Sequence, residues 1–170
     1  MTGGGIYNVL FLCTGNSARS ILAEALIDHW GKRRFKGYSA GSFPKGSVHP
    51  LAVDLLEKAH LDTSRLRSKS WGRVRPSWHA GDGFCLHGLR RGGRRSLPDV
   101  AGEPGDRPWG IPDPAAVPGT DVQRHKPFAL PISNSKTEIK VFTALPISRL
   151  DRLAIKRQVD EIGRLRAVPK

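Results

Sequence analysis

The sequence predicts a doubly wound α/β domain, with a small parallel sheet and helices on both faces. Three observations predict it. Tyr7–Leu12 (YNVLFL) is a short, nearly unbroken apolar run, the pattern of a strand buried on both faces of a parallel sheet. It runs directly into Cys13-Thr14-Gly15-Asn16-Ser17-Ala18-Arg19-Ser20, a loop of mostly small residues, and helical periodicity then extends from Ser20 to Trp30. The chain of 170 residues suits one ordinary domain, taken as 1–170.

The elements follow in order. In the first helix Leu22, Ala25, Leu26 and Trp30 line one face, with Glu24 and Asp28 on the other. Gly37–Ala40 reads as the second strand. Pro50 suits the first turn of a helix whose inner face is Ala52, Leu55, Leu56 and Ala59. From Gly72 to Arg107 neither a helical nor a strand period is present, and Arg, Gly and Pro crowd the segment, so 72–107 is expected to be irregular. Phe128–Ser135 is interrupted by Pro131. Thr137–Leu145, with Ile139 and Phe142 on one face, reads as a covering helix stopped by Pro146. Ser148-x-x-Asp151 then opens a last helix with Leu150, Leu153, Ala154 and Ile162 inward.

Composition narrows the function. The net charge of +13, from 28 basic and 15 acidic residues, favours anionic partners. The irregular segment is not the source of that charge, since it sets seven arginines against four acids. Its aromatic residues Trp78 and Phe84 are not interleaved with the arginines, so a nucleic-acid arm is not expected. No apolar run approaches the ~20 residues of a spanning helix, so no membrane partner is expected. Two cysteines fit a reducing compartment, and Val9–Leu12 is too short for a signal peptide, so a cytoplasmic protein is expected. His49 and His60 read as cap or surface residues. No metal-like spacing occurs.

The loop after the first strand carries the chemistry. Where a loop opens onto a helix N-terminus, several backbone N–H groups lack internal partners and converge at the positive end of the helix dipole. Thr14, Gly15, Asn16, Ser17, Ala18, Arg19 and Ser20 would thus surround an oxyanion. Gly15 and Asn16 tolerate the positive φ angles of such a cradle. Cys13 sits at its base, where the same field favours a thiolate. Arg19 offers a planar fork for two oxygens, and Ser20 a hydrogen bond to the sulfur. The alternative is a buried strand-end cysteine beside a surface arginine.

The run Val9-Leu10-Phe11-Leu12-Cys13-Thr14-Gly15-Asn16-Ser17-Ala18-Arg19-Ser20, followed by Ala23-Glu24-Ala25-Leu26, resembles the low-molecular-weight tyrosine phosphatase family, and specifically its arsenate reductase branch. Tyr38-Ser39-Ala40-Gly41-Ser42, Pro44-Lys45-Gly46, Val48-His49-Pro50, Asp62-Thr63-Ser64 and Arg67-Ser68-Lys69-Ser70 extend the match to Trp71. The resemblance implies a flavodoxin-like fold and reduction of arsenate, with Cys13 as nucleophile, Arg19 holding oxygens and Asp113 of Pro112-Asp113-Pro114 as general acid. A carboxyl beside a bound oxyanion holds its proton more tightly, as that role needs. It implies no bound cofactor, and electrons from an external thiol: a thioredoxin-like protein or a low-molecular-weight thiol.

The resemblance stops at Gly72 and returns at Trp109-Gly110-Ile111-Pro112-Asp113. In the family this place holds a central strand and two resolving cysteines. Codons for Gly81–His87 can be chosen so that the frame one base later encodes Ala-Met-Asp-Phe-Val-Phe-Thr, close to that strand. A shifted frame over 72–107, with a damaged middle strand, is therefore expected. Cys85 lies near the resolving zone and is not assigned that role. Two other readings stand beside the reductase: a phosphatase of aryl phosphate monoesters using the same cradle, and an inactive frame-damaged product.

Overall fold

In the computed structural model, residues 6–74, 83–87, 118–149 and 152–164 are described. The elements are β1 (Tyr7–Cys13), α1 (Arg19–Trp30), β2 (Phe35–Gly41), α2 (Pro50–Lys58), α3 (Trp71–Val74), β3 (Gly83–His87), α4 (Asp121–Ala144), a 3-10 turn (Ile147–Arg149) and α5 (Arg152–Arg164). Among the described residues the sheet has three parallel strands in the order β2-β1-β3. The register with β2 runs from Tyr7 opposite Phe35 to Cys13 opposite Gly41. The expected α/β architecture is present.

Alternation along β1 divides the core. Val9 and Phe11 point into a large cluster with residues of α1, α2, α4 and α5, including Ile21, Leu56, Ile139, Phe142 and Val159. Leu10 and Leu12 point the other way, into a smaller cluster with Ala40 and Val74, flanked by Tyr38 and Trp71. Apolar side chains on both faces of one strand are what its unbroken apolar run required.

Four expectations need correction. α1 buries more than the expected face: Leu22, Ala25 and Leu26 are buried as expected and Asp28 is exposed, but Ile21, Ala23 and Ile27 are buried too, because the sheet and α4 both pack against it. Its Glu24 is drawn inward, paired with Lys69. In α2, Leu51, Ala52 and Leu56 are buried and Leu55 half-buried, but Ala59 is exposed because the helix ends at Lys58.

The third correction is in 72–107, where the backbone forms the last residues of α3 and then β3, with Asn8 opposite Gly83 and Leu12 opposite His87. A buried central strand needs partners on both edges, since each unpaired backbone group buried from water costs ~1–3 kcal/mol. That demand comes from β1 and leaves no period in the segment itself. The rest of 72–107 lies outside the described residues.

The fourth is α4, which starts at Asp121 and continues through Pro127 and Pro131. Each proline removes one backbone donor. The later turns are fixed by the buried Ile139 and Phe142, whose ring lies 5.4 Å from that of Phe35. Arg34, in the α1–β2 turn, donates to the carbonyls of Thr143 and Leu145 at 3.3 Å each and so tethers the helix end. On α5 the inward residues are Ile155, Val159 and the expected Ile162, with Ala154 half-buried. Leu150 and the side chain of Leu153 fall outside the described set.

Candidate active site

Cys13 ends β1 and is 2 % exposed. Beyond it the chain turns through residues 14–18 into α1. The carbonyls of that turn are held by the segment after β2. Ser42 donates to Cys13 O at 3.2 Å, Phe43 to Thr14 O at 2.9 Å, Lys45 to Gly15 O at 2.9 Å and His49 to Ser17 O at 2.8 Å, each through its backbone N–H. A planar trans peptide points its C=O and the next N–H in opposite directions. The N–H groups of Thr14, Gly15, Asn16 and Ala18 are therefore turned away from residues 42–49. That of Asn16 reaches Cys13 Sγ at 3.2 Å.

Of the two residues expected to supply positive φ, Asn16 does so, at 38°, while Gly15 is not among the positive-φ residues. Gly15 instead lies against the Lys45 side chain, where an added Cβ would stand 3.4 Å from Lys45 Cε. The tighter position is Gly41, paired with Cys13: a Cβ there would come within 2.7 Å of Thr14 O and 3.0 Å of Asn16 Cβ. In the sequence Gly41 is visible only as part of the Tyr38–Ser42 run, because this close approach arises from the pairing of β1 with β2.

The side chain of Asn16 ties the turn to three other segments. Its Oδ1 accepts from the Lys69 backbone N–H at 2.7 Å. That fixes the amide orientation, so Nδ2 donates to Ser20 Oγ at 2.8 Å and Ser39 Oγ at 2.9 Å. Ser20 Oγ lies 2.9 Å from Cys13 Sγ. Asn16 N–H points at the sulfur, and the Ser20 hydroxyl is placed to donate to it whenever the sulfur acts as acceptor. Ser39 in turn donates to Glu24, which Lys69 Nζ meets at 3.1 Å. Burial pushes the Glu24 carboxyl above its ordinary value, against the opposing pull of Lys69 and the Ser39 hydrogen bond.

The structure thus brings Cys13, Asn16 and Ser20 together, with Thr14 and Gly15 half-buried and Ser17, Ala18 and Arg19 buried on the same turn. Arg19 is the first residue of α1. Asp113 lies outside the described residues. Cys85 sits on β3 opposite Leu10. His49 caps α2, its Nδ1 accepting from Leu51 N–H at 3.2 Å, and His60 is exposed with φ 57°. Ser39, Glu24 and Lys69 were not singled out from sequence as site residues; Ser39-Ala40-Gly41 at the tip of the strand beside Cys13 was the available signal. No group of three or more metal-ligating side chains occurs among the described residues, and none of their helices is long and apolar enough to cross a membrane.

The family model of low molecular weight phosphotyrosine protein phosphatase matches residues 8–76. An arsenate reductase of Halalkalibacterium halodurans is 30% identical over 147 residues, covering 79% of this chain and 93% of its own. The chain belongs to the low molecular weight phosphotyrosine protein phosphatase family. It is an enzyme of that family. Among solved structures, one titled an arsenate reductase in the phosphate binding state superposes with TM-score 0.60 at 24% identity, covering 82% of this chain and 98% of its own. The low molecular weight protein tyrosine phosphatase of T. tengcongensis does so with TM-score 0.59 at 24% identity, covering 82% and 99%. These two share the family fold.

Proposed function

We propose that this chain is a thiol-dependent arsenate reductase. The observation that carries the reading is the turn beneath the sulfur: its carbonyls are tied to residues 42–49, and the Asn16 N–H is 3.2 Å from Cys13 Sγ. In this reading the Cys13 thiolate attacks arsenic(V) and forms a sulfur–arsenic bond. Arg19 and the amides of Thr14–Ser20 hold the arsenate oxygens, and Asp113 gives a proton to the departing oxygen. A second thiolate then attacks Cys13 sulfur, a disulfide forms, and the electron pair of the sulfur–arsenic bond stays on arsenic, which leaves as arsenite. The reductant is a thioredoxin-like protein or a low-molecular-weight thiol, acting in the cytoplasm.

One observation favours a second reading. The whole chain has two cysteines, so at most Cys85 is available as an internal resolving thiol. Hydrolysis of an aryl phosphate uses the same cradle and Asp113 but needs no second thiol. Incubation with arsenate and reduced thioredoxin separates the readings. Arsenate-dependent thiol oxidation that disappears in Cys13→Ser supports the reductase; release of phenol from an aryl phosphate without such oxidation supports the phosphatase. Loss of both in wild type, with an uncooperative melt, supports a frame-damaged product. Resequencing the gene tests the shifted frame over 72–107 directly: clean reads with an unbroken frame and none of the codons it requires remove it.

A further inference from the structure

Lys69 lies outside the oxyanion turn, yet it touches the site's hydrogen-bond chain three times. Its backbone N–H holds Asn16 Oδ1 at 2.7 Å. Its ammonium lies 3.1 Å from Glu24 Oε2 and 3.3 Å from Ser39 Oγ, and also meets the Arg67 carbonyl at 3.1 Å. The side chains of Lys69 and Glu24 are only 21% and 12% exposed, so this is a sheltered pair rather than a solvated surface bridge. A pair in that position interacts far more strongly than one in water, and losing one partner leaves the other's charge uncompensated.

The donors in the chain run one way. Ser39 receives Asn16 Nδ2 and Lys69 Nζ, so its own hydroxyl proton is directed to Glu24. Asn16, with its oxygen held by Lys69, has its second amide proton on Ser20, which leaves the Ser20 proton for Cys13. An ionised Glu24 at one end keeps this order; a Glu24 that takes up a proton stops requiring a donor from Ser39.

We propose that Lys69 and Glu24 are positioning residues, a sheltered ion pair that fixes the direction of the Ser39–Asn16–Ser20 hydrogen bonds and thereby sets how readily Cys13 ionises. This rests on the reading of Cys13 as the reactive thiolate. Other charged groups also act there. Asp28, on α1 one turn from Glu24, opposes its ionisation. Arg19 heads α1 beside the sulfur's turn, Lys45 lies against Gly15, and His49 holds the Ser17 carbonyl. Among the described residues, Lys69 is the cation in contact with both Glu24 and Ser39, at 3.1 and 3.3 Å.

The test is the rate of Cys13 alkylation by iodoacetamide against pH, followed on the Cys13 peptide by mass spectrometry. In Lys69→Ala the midpoint of the profile is expected to rise by about one pH unit, and added methylammonium to bring it back. Glu24→Gln is expected to move it the same way, and serves if Lys69→Ala does not fold. An unchanged midpoint in a folded variant, or a raised midpoint that methylammonium leaves in place, overturns the inference. Failure of the underlying reading looks different: phosphate then gives Cys13 no protection in the unaltered enzyme. Protection with an invariant profile removes only the role of Lys69 and Glu24.

Discussion

At the scale of single residues, Gly41 decides whether the turn can close. A Cβ there would stand 2.7 Å from Thr14 O and 3.0 Å from Asn16 Cβ, so even a methyl group must displace the backbone of the turn. Gly41→Ala should therefore abolish phosphate protection of Cys13 against alkylation while the protein still melts cooperatively; protection equal to wild type counts against the geometry. Glu24 gives a second test. Burial raises its carboxyl above the ordinary value of 4.5, so the folded protein holds that proton more tightly than the unfolded chain. The stability this contributes is complete below 4.5 and is lost as pH rises through the raised value. Urea unfolding at about pH 4 and about pH 8 should show wild type losing stability relative to Glu24→Gln, and a constant difference contradicts it. Cys13, Asn16 and Ser20 were legible because they lie within one turn of chain. Ser39, Glu24 and Lys69 were not, because β2, α1 and residues 61–70 meet only in the folded molecule.

At the scale of elements, local pattern served where an element's own residues determine it. β1, α1, β2 and α2 came within two residues of their expected ends, because an apolar run, a Pro at the helix start and a small-residue turn are local signals. α4 was legible only in its last turns. Its first half carries Pro127 and Pro131, and it is helical because its far end is anchored: Phe142 is fully buried against Phe35 and Arg34 binds the terminal carbonyls. Phe142→Ala should cost about 3–5 kcal/mol in urea unfolding, as expected for an aromatic side chain in a packed core. A change below about 1 kcal/mol means that α4 does not carry that face of the sheet.

At the scale of the molecule, the sheet brings the ends of β1 and β2 together so that one loop holds the carbonyls of the other. The turn after Cys13 is thus a product of strand pairing as much as of its own sequence. β3 extends the same logic to the other edge of β1, where composition alone predicted irregular chain. The measurement that bears most directly on the account is alkylation of Cys13 with and without saturating phosphate or arsenate, in the unaltered chain and in Arg19→Ala. Protection by the oxyanion in the first and none in the second is the predicted result. Equal labelling in all four conditions would contradict it.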